Sequence, residues 1–196
     1  MIEAIRWAER VFYVALTSLL ISRMLPAIPH QPQVLFFLAS ELSGALFIIF
    51  QRRGHWSGEA YPFLIALVGT SAPFFAVPLG EALAPSIGAA LLVTGACIAL
   101  CGKLSLRRSF GLVPANRGVK TDGLYRWVRH PIYLGYVVSH VGLLLTYASF
   151  WNLAVLGFAW ILMWLRSREE EKFLSRDPLY GQYAQLVRHR LVPGLL

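Results

Sequence analysis

Six apolar runs, divided by short polar or proline-rich breaks, set the plan of this chain. They fall at about residues 11–28, 34–50, 61–79, 85–102, 131–148 and 151–166. Each approaches the roughly 20 residues that an α-helix needs to cross a bilayer, the second and last being short. Pro73 and Pro78 interrupt the third run, which predicts a kink, because proline removes a helical N–H and crowds the preceding turn. Only Ser149 and Phe150 separate the last two runs, which predicts a tight antiparallel hairpin. The expected fold is all-α: a polytopic transmembrane helical bundle of five to six spans. One integral membrane domain would cover residues 1–196, with N-terminal membrane helices over 1–102 and a more charged half over 103–196.

Composition supports a lipid environment. Hydrophobic residues make up 57% of the chain and charged residues only 14%, against about 25% charged in soluble domains. The net charge is +8, but the positives flank apolar runs instead of forming one soluble patch, which excludes nucleic acid as the expected partner. The first run lacks an A-x-A-like cleavage site and is expected to stay as an anchor. Cys97 and Cys101 lie one helical turn apart in an apolar run. Without histidine or acidic company they make a poor metal site and are expected to be packing residues.

Charge also orients the chain. With the N-terminus in the cytoplasm and all six runs crossing, Arg6, Arg10, Arg52, Arg53, the 103–129 loop and the tail from Arg166 to Arg190 fall inside. That places every lysine and arginine except Arg23 on the positive side of the membrane. The expected location is a multi-pass protein of the bacterial inner membrane, with both termini cytoplasmic. Arg23 is expected to pair with Glu41 across the first two helices, since buried charges are costly alone; a place on a substrate path is the other reading. His140 is expected to hydrogen-bond between helices.

Candidate chemistry concentrates in two segments. In Gly123–Gly135, Pro131 stands where a helix would begin, because its missing N–H costs nothing there. His130 should then be the last non-helical residue. The helix mouth, beside Arg126, Arg129 and His130, would favour an anion; a basic loop touching lipid headgroups is the plainer reading. After the last run comes Arg166-Ser167-Arg168-Glu169-Glu170-Glu171-Lys172-Phe173-Leu174. On a continuing helix neighbours point about 100° apart, so two adjacent glutamates can flank a pocket while the third faces water. An ordinary solvated helix end would look the same. Asp177–Tyr183 reads as a turn and a short amphipathic helix. The tail Arg188–Gly194 could then fold back over the hairpin, with Tyr183, Leu186, Val187 and Leu191 packing along the interface.

A Gly-x-Tyr-x-x-Val-Arg-His-Pro-x-Tyr-x-Gly segment, a membrane hairpin, Arg-x-x-x-Glu-Glu-x-x-Leu, a tyrosine-bearing turn and a basic stretch ending in Pro193 follow in order. Over residues 103–194 the chain resembles the isoprenylcysteine carboxyl methyltransferase family, which shares this plan with phospholipid N-methyltransferases. The resemblance implies S-adenosylmethionine as cofactor and a lipophilic acceptor, such as an isoprenylcysteine carboxylate or another small lipid, at the cytoplasmic face. It implies a cofactor pocket in the C-terminal half built from Tyr125, Arg129, His130, Pro131, Tyr133, Gly135, Glu170, Glu171, Tyr183, Arg188 and Arg190. Glu170 and Arg166 are the candidate catalytic residues. From their place between the fourth run and the loop, Arg108 and Arg107 could hold an anionic acceptor; ordinary inside-positive flanking charge is the plainer reading for at least one of them. Glu169, a third acid, departs from the family pattern.

The residues agree in their physics. Arg129 and His130 suit the cofactor's carboxylate, an acidic neighbour suits its ammonium or sulfonium, and Tyr125 and Tyr133 offer aromatic faces. The rival readings are an NADPH-dependent membrane reductase of the sterol or steroid type and a non-catalytic membrane subunit or carrier. Acidic residues would repel the extra phosphate of NADPH, and a carrier would show two like halves, which are absent here.

Overall fold

The computed structural model describes residues 2–56 and 58–191; the tail's Pro193 therefore lies outside the described residues. Seven α-helices account for about two thirds of the described residues. They are α1 (Ile2–Met24), α2 (Val34–Ile49), α3 (Ala60–Ser71), α4 (Pro85–Leu106), α5 (Pro131–Thr146), α6 (Phe150–Leu174) and α7 (Pro178–Leu186). One short antiparallel ribbon joins β1 (His55–Trp56) to β2 (Ala115–Asn116). Six helices coincide with the six apolar runs. Two segments, Pro85–Ser109 and Phe150–Leu174, are long and apolar enough to cross a membrane, and α2, α5 and Ala60–Phe75 are shorter apolar helices. Leu35, Phe36, Leu46, Val68, Phe158 and Ile161 point outward. Large apolar side chains exposed on several helices at once fit a lipid surround.

Sequence explains the main seam. Gly95 and Gly102 on α4 face Gly135, Ser139 and Ile132 on α5, and small residues at such spacing let helix backbones approach closely. A Cβ added to Gly135 would stand 2.5 Å from the Ala99 nitrogen, and one on Gly102 would stand 2.8 Å from Ile132. This close packing makes α4 the main neighbour of α5. The tight connection to α6 is present, over Tyr147–Ser149, but α6 packs chiefly against α3 and the turn after it. The last two helices therefore share a link without forming a closely packed pair. The link is tied to the loop before α4 by paired backbone bonds between Glu81 and Ala148 (2.8 Å each).

Several expectations change. The third run does not bend and continue. Its α-helix ends at Ser71 and passes into a 3-10 turn, Ala72–Phe75, with Pro73 near the start, where proline's missing N–H is tolerated. Lys103 belongs to α4 and not to the following loop, and its side chain is wholly buried. Arg23 does not meet Glu41. Its guanidinium donates to the Phe74 carbonyl at 2.9 Å, because Arg23 sits in the last turn of α1 whereas Glu41 lies two turns into α2. Glu41 instead takes Lys103 Nζ at 2.8 Å and the hydroxyls of Tyr13 and Tyr136, each at 2.9 Å. Cys97 is half-buried, and Cys101 is exposed on the outside of α4 rather than packed.

Candidate active site

The site begins where the 107–130 segment meets α5. Gly123 takes φ +61° to start a 3-10 turn, Gly123–Arg126, a backbone region that residues with a Cβ rarely enter. That turn buries Tyr125 and leaves Arg126 exposed. His130 is the last residue before α5, and Pro131 is the first within it. The tail after α7 lies against this segment. The Arg129 N–H donates to the His189 carbonyl at 2.9 Å and the His130 N–H to Arg190 at 3.0 Å. Tyr183, Val187 and Leu191 are buried by this return, whereas Leu186 faces out.

α6 delivers the acids. Glu171 accepts from Arg129 at 3.0 Å and Arg190 at 2.8 Å, and its other oxygen lies 3.0 Å from His130 Nε2. The anion that the basic mouth holds is thus the chain's own carboxylate. One residue earlier, and about 100° around the helix, Glu170 accepts from Tyr133 at 2.6 Å and Arg166 at 3.0 Å. Glu169 points away, toward Lys172 at 3.7 Å. Arg166 also donates to the Leu112 carbonyl at 2.6 Å and the Thr70 hydroxyl at 3.2 Å, so it fixes Glu170 against two further segments.

Two chambers open around these groups. The inner one encloses about 970 Å³, open solvent at its mouth included, and is lined mainly by apolar and aromatic residues of α1–α3, α5 and α6. The outer one encloses about 760 Å³ on the same measure; the 109–120 loop, Arg129, Leu174, Tyr180 and Tyr183 contribute to its wall. Leu106, Gly111, Tyr125, His130 and Glu170 line both. The two chambers therefore meet at a partition carrying a phenol, an imidazole and a carboxylate.

The family model for phospholipid methyltransferases matches residues 83–182, just over half of the chain and including every residue of the partition. The chain belongs to the phospholipid methyltransferase family. No curated protein and no solved structure matches it. The family-level activity is S-adenosylmethionine-dependent methyl transfer to a lipid-type acceptor, and the apolar helices together with the family suggest an integral membrane protein. The family shown is the phospholipid one; isoprenylcysteine specificity does not come with it.

In this member of the family, the wall of the outer chamber carries the cations Arg117, Lys120 and Arg129. Among the described residues, the Nε atoms of Arg117, Arg129 and Arg190 are buried without a partner, and Arg117 and Arg129 line the chamber. Buried donors without acceptors are uncommon and suit an incoming carboxylate. Burial pushes the Arg117 guanidinium down from its ordinary value, with Glu9 opposing. Burial raises the phenols of Tyr125, Tyr180 and Tyr183, with nearby Glu170 or Glu171 adding to the effect. These tyrosines stay protonated and can act as donors and aromatic faces, not bases. Tyr183 donates to the Tyr125 carbonyl at 2.7 Å, which holds α7 to the partition.

Of the residues expected at the site, Tyr125, Arg129, His130, Tyr133, Arg166, Glu170, Glu171, Tyr183 and Arg190 gather here. Pro131 contributes the helix start. Arg188 brings its carbonyl, which accepts from Arg129 at 3.0 Å, while its side chain is exposed. Gly135 faces α4 in the helix seam and lines neither chamber. Arg108 lies apart, donating to the Phe50 carbonyl at 2.8 Å. The sequence reading missed the 109–120 loop, whose only signal is its Gly and Pro punctuation, and Glu9, which holds that loop. Buried in α1, Glu9 accepts from the Leu112 N–H, the Val113 N–H (3.1 Å) and Gln51 (3.1 Å), and faces Arg117 at 3.6 Å.

Proposed function

We propose that the protein methylates a lipophilic acceptor held in the inner chamber, with S-adenosylmethionine in the outer chamber and the reaction at the partition. The observation that carries this reading is that a chamber walled in part by Arg117, Lys120 and Arg129 and a mainly apolar and aromatic chamber share Tyr125, His130 and Glu170. Bound there, S-adenosylmethionine supplies an electrophilic methyl group. Arg129 and Arg117 offer donors for its carboxylate, Tyr125, Tyr180 and Tyr183 offer faces for its adenine, and Glu170 lies where a carboxylate would favour its positive charges. The chain's own contribution is to align the reacting atoms and keep water out. A carboxylate acceptor, as in isoprenylcysteine, needs no base. For an amine or phenol, Glu170 or His130 is positioned to take the proton. Tyr133 and Arg166 hold Glu170 in place for either task. The reaction would occur at the cytoplasmic face, both termini lying on that side as the positive residues direct.

Thermal unfolding of the purified protein with adenosylhomocysteine and, separately, with NADPH tests the cofactor. Stabilisation by adenosylhomocysteine alone is the expected result; stabilisation by NADPH alone would replace this reading with that of a reductase. Incubating membranes that contain the protein with methyl-labelled cofactor then identifies the acceptor as the labelled lipid.

A further inference from the structure

The inner chamber has a second polar pole, away from the partition. Tyr133, Tyr136 and His140 follow one another on one face of α5, and all line the chamber. Tyr133 is bonded to Glu170 at the partition, and His140 lies seven residues further along, a rise of about 10 Å. His140 is only 5% exposed. Its Nδ1 accepts from the indole N–H of Trp160 at 3.2 Å. Indole N–H is a donor only, so Nδ1 carries no proton and the neutral ring carries its proton on Nε2. Among the described residues no hydrogen bond reaches that Nε2. Tyr136 stacks over the ring at 6.4 Å between centroids, 13° from parallel, which fixes the direction of the donor.

The neighbouring polar groups are bonded to one another. Both Glu41 oxygens are taken by Tyr13, Tyr136 and Lys103. Lys103 spends its remaining donors on the Ser40 carbonyl at 2.8 Å and hydroxyl at 3.2 Å. The Tyr13 and Tyr136 hydroxyls donate to Glu41. This pole therefore offers one ring donor, on a residue 5% exposed, to a mainly apolar cavity. A buried donor left unmatched is costly, and a site built to hydrogen-bond an oxygen rejects a ligand that lacks one.

We infer that His140 Nε2–H recognises a second oxygen function of the acceptor, a hydroxyl or a carbonyl, set about two helical turns from the atom that is methylated. The acceptor is then an amphiphile with oxygen at both ends of the segment held in the chamber, not a plain hydrocarbon chain with one polar head. This inference rests on the assignment of the inner chamber to the acceptor.

Binding of α,ω-decanediol and of decane to the purified protein in nanodiscs tests it without turnover. His140→Phe keeps the stacked ring and removes the donor. The diol is expected to bind this variant about tenfold more weakly than wild type, the loss of one net hydrogen bond, while decane binds both alike. Equal diol affinities would overturn the inference. Should the variant fail to fold, the Nε2 resonance of wild-type protein labelled with 15N-histidine gives the answer. A shift with diol and none with decane supports it; no shift with saturating diol means that water alone meets the donor, and overturns it. Adenosylhomocysteine binding, measured in parallel, reports on the methyltransferase reading independently. Its absence together with a diol-specific shift would sink that reading and keep the oxygen site.

Discussion

Two clusters of carboxylates and cations lie on the same bundle, and they are built to different rules. Around Glu41, deep in the helices, the ammonium of Lys103, two phenols and a serine leave no carboxylate oxygen and no ammonium proton unpaired. Around Glu171, near the tail, the Nε atoms of Arg129 and Arg190 have no partner among the described residues although they are buried. A closed network of this kind holds helices together, whereas a surplus of aimed donors leaves room for a ligand. A glutamate meets basic side chains in both places, an ammonium in the first and guanidinium groups in the second. What separates a structural cluster from a binding cluster here is whether its hydrogen-bonding capacity is used up.

The comparison breaks most visibly at Lys103. Lys103→Met leaves Glu41 buried without its cation, and stability should fall by about 3–5 kcal/mol, read as a lower midpoint in chemical or thermal unfolding. Adding Glu41→Gln should recover much of that loss, because the uncompensated charge goes with it. Unchanged unfolding in the single variant would show that the inner cluster is not the structural one.

At the partition, Glu170→Gln should lower the methyl-transfer rate by about 100-fold with an acceptor that must lose a proton, while a carboxylate acceptor would lose much less. Measured on both acceptor types, this separates a base from a merely structural carboxylate. In the outer cluster, Arg129→Ala should weaken adenosylhomocysteine about tenfold or more, the value of one charge-assisted bond, with circular dichroism unchanged. Binding like wild type by both Arg129→Ala and Glu170→Ala would remove the cofactor from this chamber. The smallest effect belongs to Arg108→Ala: cofactor binding and rate should stay within about twofold, as for a surface side chain away from any site.

Legibility in the sequence followed the range of the interactions. The start of α5 at Pro131, the continuation of α6 through the glutamates and the cap of α7 by Asp177, which accepts from the Leu179 N–H at 3.0 Å, depend on neighbours along the chain. Local chemistry was enough to read them. Arg23 and Glu41 were matched by apparent depth, yet the partner of Glu41 came from α4, a helix whose register against α2 no local pattern encodes. Gly135 carries the motif's spacing but serves the seam with α4, because a missing side chain looks the same whether a ligand or a helix approaches it.

By itself, then, the order of residues determined the helices, their apolar faces and the two charged segments, since periodicity and prolines act within a few residues. The tertiary structure alone decided which acid meets which base, that Glu171 fills the basic mouth, and that His140 offers its proton to a cavity. Those outcomes depend on helix rotation and on the return of the tail, which are set by packing among segments distant in the chain.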